Sequence, residues 1–446
     1  MTRTRTMIKG TFILTVTGFA TRFMGFFYRM FLSHTFGEES IGLYQLVFPI
    51  YALCFSFTCA GIELALSRCT AKKLAKGNKK EAKELLSTSL ILTITISCII
   101  TFFIQHYAEF ISTFFLHDTR CTDLLVILSY AFPFASVHSC ICGYYFGMKQ
   151  TQIPAISQLL EQSARILTVY LIYLYGISHG IHFNITIAVA GLVAGEIVSS
   201  LYCLCSICNI QNAGNLFHLP FGSFLVHSTE LLKLSVPLTG SRVLLNILQS
   251  IEAVSIPLYL QHYGCTVSDS LSIYGVLTGM ALPCILFPSA ITNSISTMLL
   301  PTVAEIQAQD SKKEMSCLIR RVGCSCVFLG SVCCIFLLIL GKWIGSFLFH
   351  STMAGDFIVT LAWMCPFLYT NSTLISIING IGKTVLSFMI NAVSLTIRIA
   401  GVILMIPLLG IRGYLWGLLV SQLFIFCACL LYLRHYLNLQ NTSRIH

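Results

Sequence analysis

The sequence predicts an all-α polytopic membrane protein of about twelve transmembrane helices in two parallel six-helix repeats, and three observations carry that expectation. Charged residues are only 10% of the 446, against about 25% in an average soluble domain. Hydrophobic residues reach 56% and the mean hydropathy is +0.82. Breaks at glycine, proline and charge clusters leave apolar segments of about 20 residues, the length that crosses a bilayer. So few charges cannot cover a soluble surface of this size, which argues against soluble enzymes, nucleic-acid binders and disordered scaffolds. The net charge of +10 therefore reads as lysine and arginine held on one membrane face, with no nucleic-acid partner.

The expected spans are 10–33, 41–66, 85–106, 122–147, 153–176, 185–208, 231–260, 271–300, 318–341, 355–379, 384–407 and 412–433. Basic Arg3, Arg5 and Lys9 run directly into the first, which reads as a retained span and not a cleaved signal. With the N-terminus inside, 19 basic residues fall on the cytoplasmic side and 3 outside (Arg120, Lys342 and Arg412). An even span count then puts both termini in the cytoplasm. Mid-span prolines predict kinks, above all in 271–300, where Pro283 and Pro288 follow Gly275 and Gly279.

The chain repeats once. Residues 65–82, ALSRCTAKKLAKGNKKEA, align without gaps on 298–315, MLLPTVAEIQAQDSKKEM, at an offset of 233. The same offset sets Gly147 on Gly380 and Arg165 on Arg398. Each half then starts on the same side with six helices, so the repeats are parallel. The expected organisation is a lobe at 1–215, a cytoplasmic linker at 216–229 and a second lobe at 230–446. Transporters built this way bind substrate near mid-membrane between lobes that rock.

Most of the 20 cysteines read as small buried hydrophobes. Cys203, Cys205 and Cys208 bunch together, but no histidine or second cysteine pair lies near them in sequence, so no metal site and no cofactor are expected. Cys121 and Cys265 fall in outside loops, and the sequence leaves open whether they pair.

Charge inside a span is costly, about 2.5–3.5 kcal/mol at the bilayer centre, and therefore points to function or to a partner. Five arginines fall in spans: Arg22, Arg29, Arg165, Arg242 and Arg398. Thr15, Gly18, Arg22, Gly25 and Arg29 share one helical face at spacings of 3, 4, 3 and 4. Two guanidinium groups two turns apart, about 10 Å, suit a phosphate or pyrophosphate. The structural alternative has Arg29 snorkelling to the interface and Arg22 paired with a buried glutamate. Span seven carries Arg242, Asn246 and Gln249 on one face, with Glu252 a turn on. Span five carries Gln158, Glu161, Arg165 and Thr168, where Glu161 and Arg165 can pair at i, i+4. Span eleven aligns Asn391, Ser394 and Arg398. Glu63 and Glu196 lie towards cytoplasmic span ends, where solvation explains them as well as function does. The excess of arginine over glutamate favours an anionic head group.

The stretch opening KGTFILTVTGFATRFMGFFYRM and the stretch 273–305, IYGVLTGMALPCILFPSAITNSISTMLLPTVAE, resemble the stage V sporulation protein B family of polysaccharide-biosynthesis membrane proteins. These belong to the multidrug/oligosaccharidyl-lipid/polysaccharide exporter superfamily, with the lipid II flippase and the multidrug and toxin extruders. The resemblance implies a multidrug-extruder-like fold. It also implies a transporter, not an enzyme, that flips polyprenyl-diphosphate-linked saccharides or peptidoglycan precursors across the bacterial cytoplasmic membrane, in sporulation or cell-wall synthesis. Arg22, Gly25 and Arg29 match a span-one pattern implicated there in head-group recognition, and Glu252 falls where the family often carries an acid. At Tyr274 and Gly275 the chain departs from the lipid II flippase, which has a cavity arginine in that span. The expected substrate-binding set is thus Arg22, Gly25, Arg29, Arg242, Asn246 and Glu252, with Glu161, Arg165 and Arg398 as secondary candidates. Expected partners are a lipid-linked anionic substrate, the bilayer, a coupling ion or the membrane potential, and the cell-wall synthesis machinery. The rival readings are an ion-coupled multidrug exporter of the same fold, a polyprenyl-phosphate glycosyltransferase, for which no catalytic loop or HExxH-type signature is present, and a non-transporting scaffold.

Overall fold

The computed structural model describes residues 2–181, 183–210, 221–308 and 312–442, and among them every regular element is helical. The first helix, α1 (Thr2–Phe55), joins the first two expected spans. The join is Gly37, at φ 77° and ψ 174°, a conformation that glycine alone takes cheaply, so the chain kinks without a loop. A π turn at Ser56–Ala60 leads into α2 (Gly61–Ala75), and α3 (Lys79–Phe110) follows. The fourth span is broken: α4 (Cys121–Ser129) meets α5 (Ala131–Gly147) at 42°. Pro133 sits in the first turn after the break, where its missing N–H has no partner to lose. The first half closes with α6 (Gln152–His179) and α7 (Thr186–Ile210).

Helix α8 (Phe221–Tyr263) opens the second half. Part of the expected linker at 216–229 falls in this helix. Residues 216–220 lie outside the described residues, but 221–229 are helical. Their docking explains why: the His227 ring lies 3.1 Å from Glu84 of α3, and Glu230 lies 3.3 Å from Lys73 of α2. The expected span 271–300 also divides. It becomes α9 (Val267–Gly275), a π turn, α10 (Leu282–Leu286) and α11 (Ser289–Ala308), parted at Pro288, which cannot continue the hydrogen-bond ladder. Then come α12 (Lys312–Leu348), a second broken pair α13 (Thr352–Ala362) and α14 (Cys365–Gly380) at 58°, α15 (Thr384–Leu409) and α16 (Ile411–Thr442).

Among the described residues, eight helices are long and apolar enough to cross a membrane, or ten if each bent pair is one span, against twelve expected. Phe12–Ala75 counts as one 64-residue segment where the sequence suggests two. Helix α6 is not among them, and Gln158, Glu161, Gln162 and Arg165 dilute its apolar character.

Contacts gather the chain into two units: 1–28 with 43–250, and 29–42 with 251–446. Helices α1 and α8 contribute to both. The core of the first unit is built by α2, α3, α5, α7 and Leu231 of α8; that of the second by α11, α12, α14, α15 and α16. The sequence repeat reappears in these cores. Leu66, Ala82, Ile141, Tyr144 and Tyr145 of the first stand 233 residues before Leu299, Met315, Leu374, Ile377 and Ile378 of the second. Helices α3 and α12 start at Lys79 and Lys312, and α5 and α14 end at Gly147 and Gly380, again 233 apart.

Candidate functional site

Within the first unit lies a cavity of about 420 Å³, lined by residues of α1, α2, α5, α6 and α7. Its polar wall is Tyr51, Glu63, His138, Ser139, Gln158, Glu161, Arg165 and Glu196; Phe48, Phe55 and Phe146 supply apolar wall. The close packing of α6 on α7 places the acids together. A Cβ on Gly191 would fall 2.9 Å from the Arg165 carbonyl, and one on Gly195 would fall 2.7 Å from the Glu161 carbonyl. With glycine at both positions the backbones touch, and Glu161 and Arg165 come beside Glu196.

Each acid has a defined partner. Glu161 pairs with Arg165 at i, i+4, as the spacing predicts. Glu196 is 6% exposed and accepts a hydrogen bond from the Tyr51 hydroxyl at 3.0 Å, and its other oxygen lies 3.4 Å from Nδ1 of His138. Glu63 accepts from the Ser139 hydroxyl at 2.9 Å. Three carboxylates therefore face one guanidinium and one imidazole, so the cavity is acidic. His138, Glu161 and Glu196 hold ligand atoms within 4.8 Å of one another, a geometry able to hold a cation. Sequence reasoning missed His138 and Tyr51 and left Glu63 and Glu196 without a role. Their only signal was polarity inside apolar helices, because they come from four different elements.

The span-one stripe has two faces. Phe12, Val16, Phe19, Phe23 and Phe27 form an exposed apolar ridge, each at least 44% exposed. The stripe is turned from that ridge: Leu14 lines the cavity, and a Cβ on Gly25 would lie 3.5 Å from the Gln162 side chain of α6. Arg22 is exposed and Arg29 half-buried. The unit boundary falls between them, after Tyr28, so Arg22 packs with the first unit and Arg29 with the second. Arg29 acts electrostatically on Cys284 of α10.

The remaining expected residues separate. Arg242 is exposed on α8, and its charge reaches Glu63. Asn246 donates to the Ala52 carbonyl at 3.1 Å and to the Ser56 hydroxyl, fastening α8 to the end of α1. Glu252 lies in the second unit. It is 3% exposed; one carboxylate oxygen accepts from the Tyr414 hydroxyl at 2.7 Å and lies 2.7 Å from Nε of Arg398 as an ion pair. The sequence offered Glu252 and Arg398 as separate candidates; the structure makes them one buried cluster. Cys121 and Cys265 are free thiols, as are the other eighteen cysteines.

Two repeated units of long apolar helices, with buried charge and an acidic cavity, make a multi-pass membrane protein, and the comparison with known proteins gives its family. The chain belongs to the polysaccharide biosynthesis protein family, whose model matches residues 7–307. It is 27% identical over 427 residues to stage V sporulation protein B of Bacillus subtilis (strain 168), covering 92% of this chain and 80% of that protein. Its fold matches an inward-facing multidrug resistance transporter of the MATE family and MOP superfamily, at TM-score 0.74 and 14% identity, covering 97% of this chain and 99% of that one. It matches the lipid II flippase MurJ in an inward closed conformation at TM-score 0.73 and 16% identity, covering 95% and 87%.

Proposed function

We propose that this protein flips a polyprenyl-diphosphate-linked saccharide or peptidoglycan precursor across the bacterial cytoplasmic membrane by alternating access, in sporulation or cell-wall synthesis. Membership of the polysaccharide biosynthesis family over residues 7–307, a range that contains the Arg22–Gly25–Arg29 stripe, carries this reading. The names of its relatives, a sporulation protein and a lipid II flippase, point the same way.

The chemistry of α1 supports it. A lipid-linked diphosphate needs cationic donors next to an apolar track. Exposed Arg22 stands on the same helix as the exposed ridge Phe12–Phe27. In this mechanism Arg22, Arg29 and Arg242 take the diphosphate through paired N–H donors, while the polyprenyl chain stays against apolar side chains and lipid. The lobes 1–215 and 230–446 alternate access, and both termini stay in the cytoplasm. The membrane potential or an ion gradient drives the cycle; Glu63, Glu161 and Glu196 are the seat for a coupling cation. Gln158 and the cavity carboxylates also suit the hydroxyl groups of a sugar.

One observation favours a second reading, an ion-coupled exporter of organic cations. The described cavity is acidic, with three glutamates against one arginine. Reconstitution separates the two. Vesicles carrying the protein should move a fluorescent polyprenyl-diphosphate saccharide between leaflets, and the double variant Arg22→Ala, Arg29→Ala should abolish this movement. Normal flipping by that variant would refute the arginine assignment. Cationic dye transport without lipid movement by the wild type would establish the exporter instead.

A further inference from the structure

The cavity wall holds a second constellation on the far side of His138. Cys142 follows His138 by one helical turn on α5, and Cys203 reaches the same place from α7. Their ligand atoms all lie within 4.8 Å of one another. Cys203 is 0% exposed and Cys142 7%, while His138 and Cys142 both line the cavity.

The histidine is held in one orientation. Its Nδ1 faces Glu196 at 3.4 Å and Ser199 Oγ at 3.3 Å. Ser199 Oγ donates to the Glu196 carbonyl and Ser157 Oγ to the Pro154 carbonyl, so a hydroxyl oxygen stands beside each ring nitrogen. Nε2 faces Ser157, on the Cys142 side. It lies 3.0 Å from Ser157 Oγ, which is itself 3.6 Å from the Cys142 sulfur. Glu196 is fixed in turn by Tyr51. A carboxylate beside Nδ1 is the arrangement that, around bound metals, holds a histidine ring so that Nε2 can ligate.

We propose that Nε2 of His138 and the sulfurs of Cys142 and Cys203 form a binding site for a thiophilic d¹⁰ metal ion, Zn²⁺ or Cu⁺. Thiolate and imidazole donors select these ions over Na⁺, Mg²⁺ or Ca²⁺. Zinc–ligand bonds of about 2.0–2.3 Å set tetrahedral donors roughly 3.3–3.8 Å apart, a modest inward rotation from the observed spacing. Ser157 Oγ or a water from the cavity completes the fourth position. The charge balances: Zn²⁺ enters, both thiols release a proton into the cavity, and the neutral Zn(Cys)₂His unit keeps the buried wall without added charge. Bound metal would clamp α5 to α7 directly behind the Glu161–Arg165 pair. The proposal does not depend on the transport reading and is tested without a transport assay.

Full-length protein purified in detergent and stripped with a chelator is titrated with Zn²⁺ against a chromophoric competitor, and with Co²⁺ for the thiolate charge-transfer band. The wild type should bind one Zn²⁺ per chain tightly and develop the band, and Mg²⁺ should do neither. The double variant Cys142→Ser, Cys203→Ser should lose both signals. Cys205→Ser with Cys208→Ser, which removes the nearby C-x-x-C, should retain them. Glu196→Gln, acting through the histidine, should weaken binding about 10–100-fold without removing the band. If the Cys142/Cys203 variant fails to fold, X-ray absorption of zinc-loaded wild type decides. A first shell of two sulfurs with nitrogen and oxygen supports the site. An all-oxygen or four-sulfur shell, or loss of binding in the Cys205/Cys208 variant, overturns it.

Discussion

Arg165 and Arg398 occupy equivalent positions of the repeat, 233 residues apart, yet the two units use them differently. Arg165 pairs within its own helix with Glu161, and both line a cavity that also reaches Glu63, His138 and Glu196. Arg398 has serine at its i−4 position and takes Glu252 from α8 instead, in a cluster closed by Tyr414. The same guanidinium lines a polar hollow in one unit and, partly exposed itself, pairs with a buried carboxylate in the other. The repeat has thus kept its helices and its apolar core while its polar chemistry diverged. In this account the first unit carries the acidic cavity, and the Glu252–Arg398–Tyr414 cluster of the second is a structural pin.

Three sets of substitutions sharpen that contrast. The largest effect is expected from Arg398→Ala, which strands a buried carboxylate and should cost about 3–5 kcal/mol. Arg165→Ala should cost about 1–2 kcal/mol, because water entering the cavity can solvate Glu161, but it should impair transport at least as severely. Thermal unfolding in detergent, followed by tryptophan fluorescence, ranks the two. Equal destabilisation would erase the distinction between pin and cavity.

A smaller difference should separate the tyrosines. Tyr414→Phe removes a 2.7 Å hydrogen bond to a buried carboxylate and should cost about 1.5–3 kcal/mol. Tyr51→Phe removes a 3.0 Å bond to a cavity carboxylate and should cost about 1 kcal/mol, measured in the same way. The least effect is expected at the Arg120–Asp118 pair before α4: the Arg120 side chain is half exposed and its backbone N–H still holds Asp118 when the side chain is lost, so Arg120→Ala should cost no more than about 1 kcal/mol.

Much of the fold was legible in the sequence because the bilayer imposes so simple a rule. Apolar length marks the helices, and the mid-span prolines Pro133 and Pro366 mark the breaks before α5 and α14. The 233-residue offset anticipates the paired cores. The break between the expected spans 10–33 and 41–66 is at Gly37, whose non-helical φ and ψ let two helices meet at a kink with no loop between them. The site was less legible. The Glu161–Arg165 pair could be read because i, i+4 spacing is local. The Tyr51–Glu196–His138 contacts join residues 58 to 145 positions apart, which no spacing encodes. Glu252 shared a helical face pattern with Arg242 and Asn246, but its true partner lies on α15, and only tertiary packing reveals it.

The most direct test of the central claim is leaflet exchange of a fluorescent polyprenyl-diphosphate saccharide in vesicles reconstituted with the wild-type protein. The account predicts that the labelled head group reaches the opposite leaflet far faster than in protein-free vesicles, and that the unlabelled lipid-linked saccharide competes. Exchange no faster than in empty vesicles, under an imposed potential and under ion gradients of either sign, would contradict it.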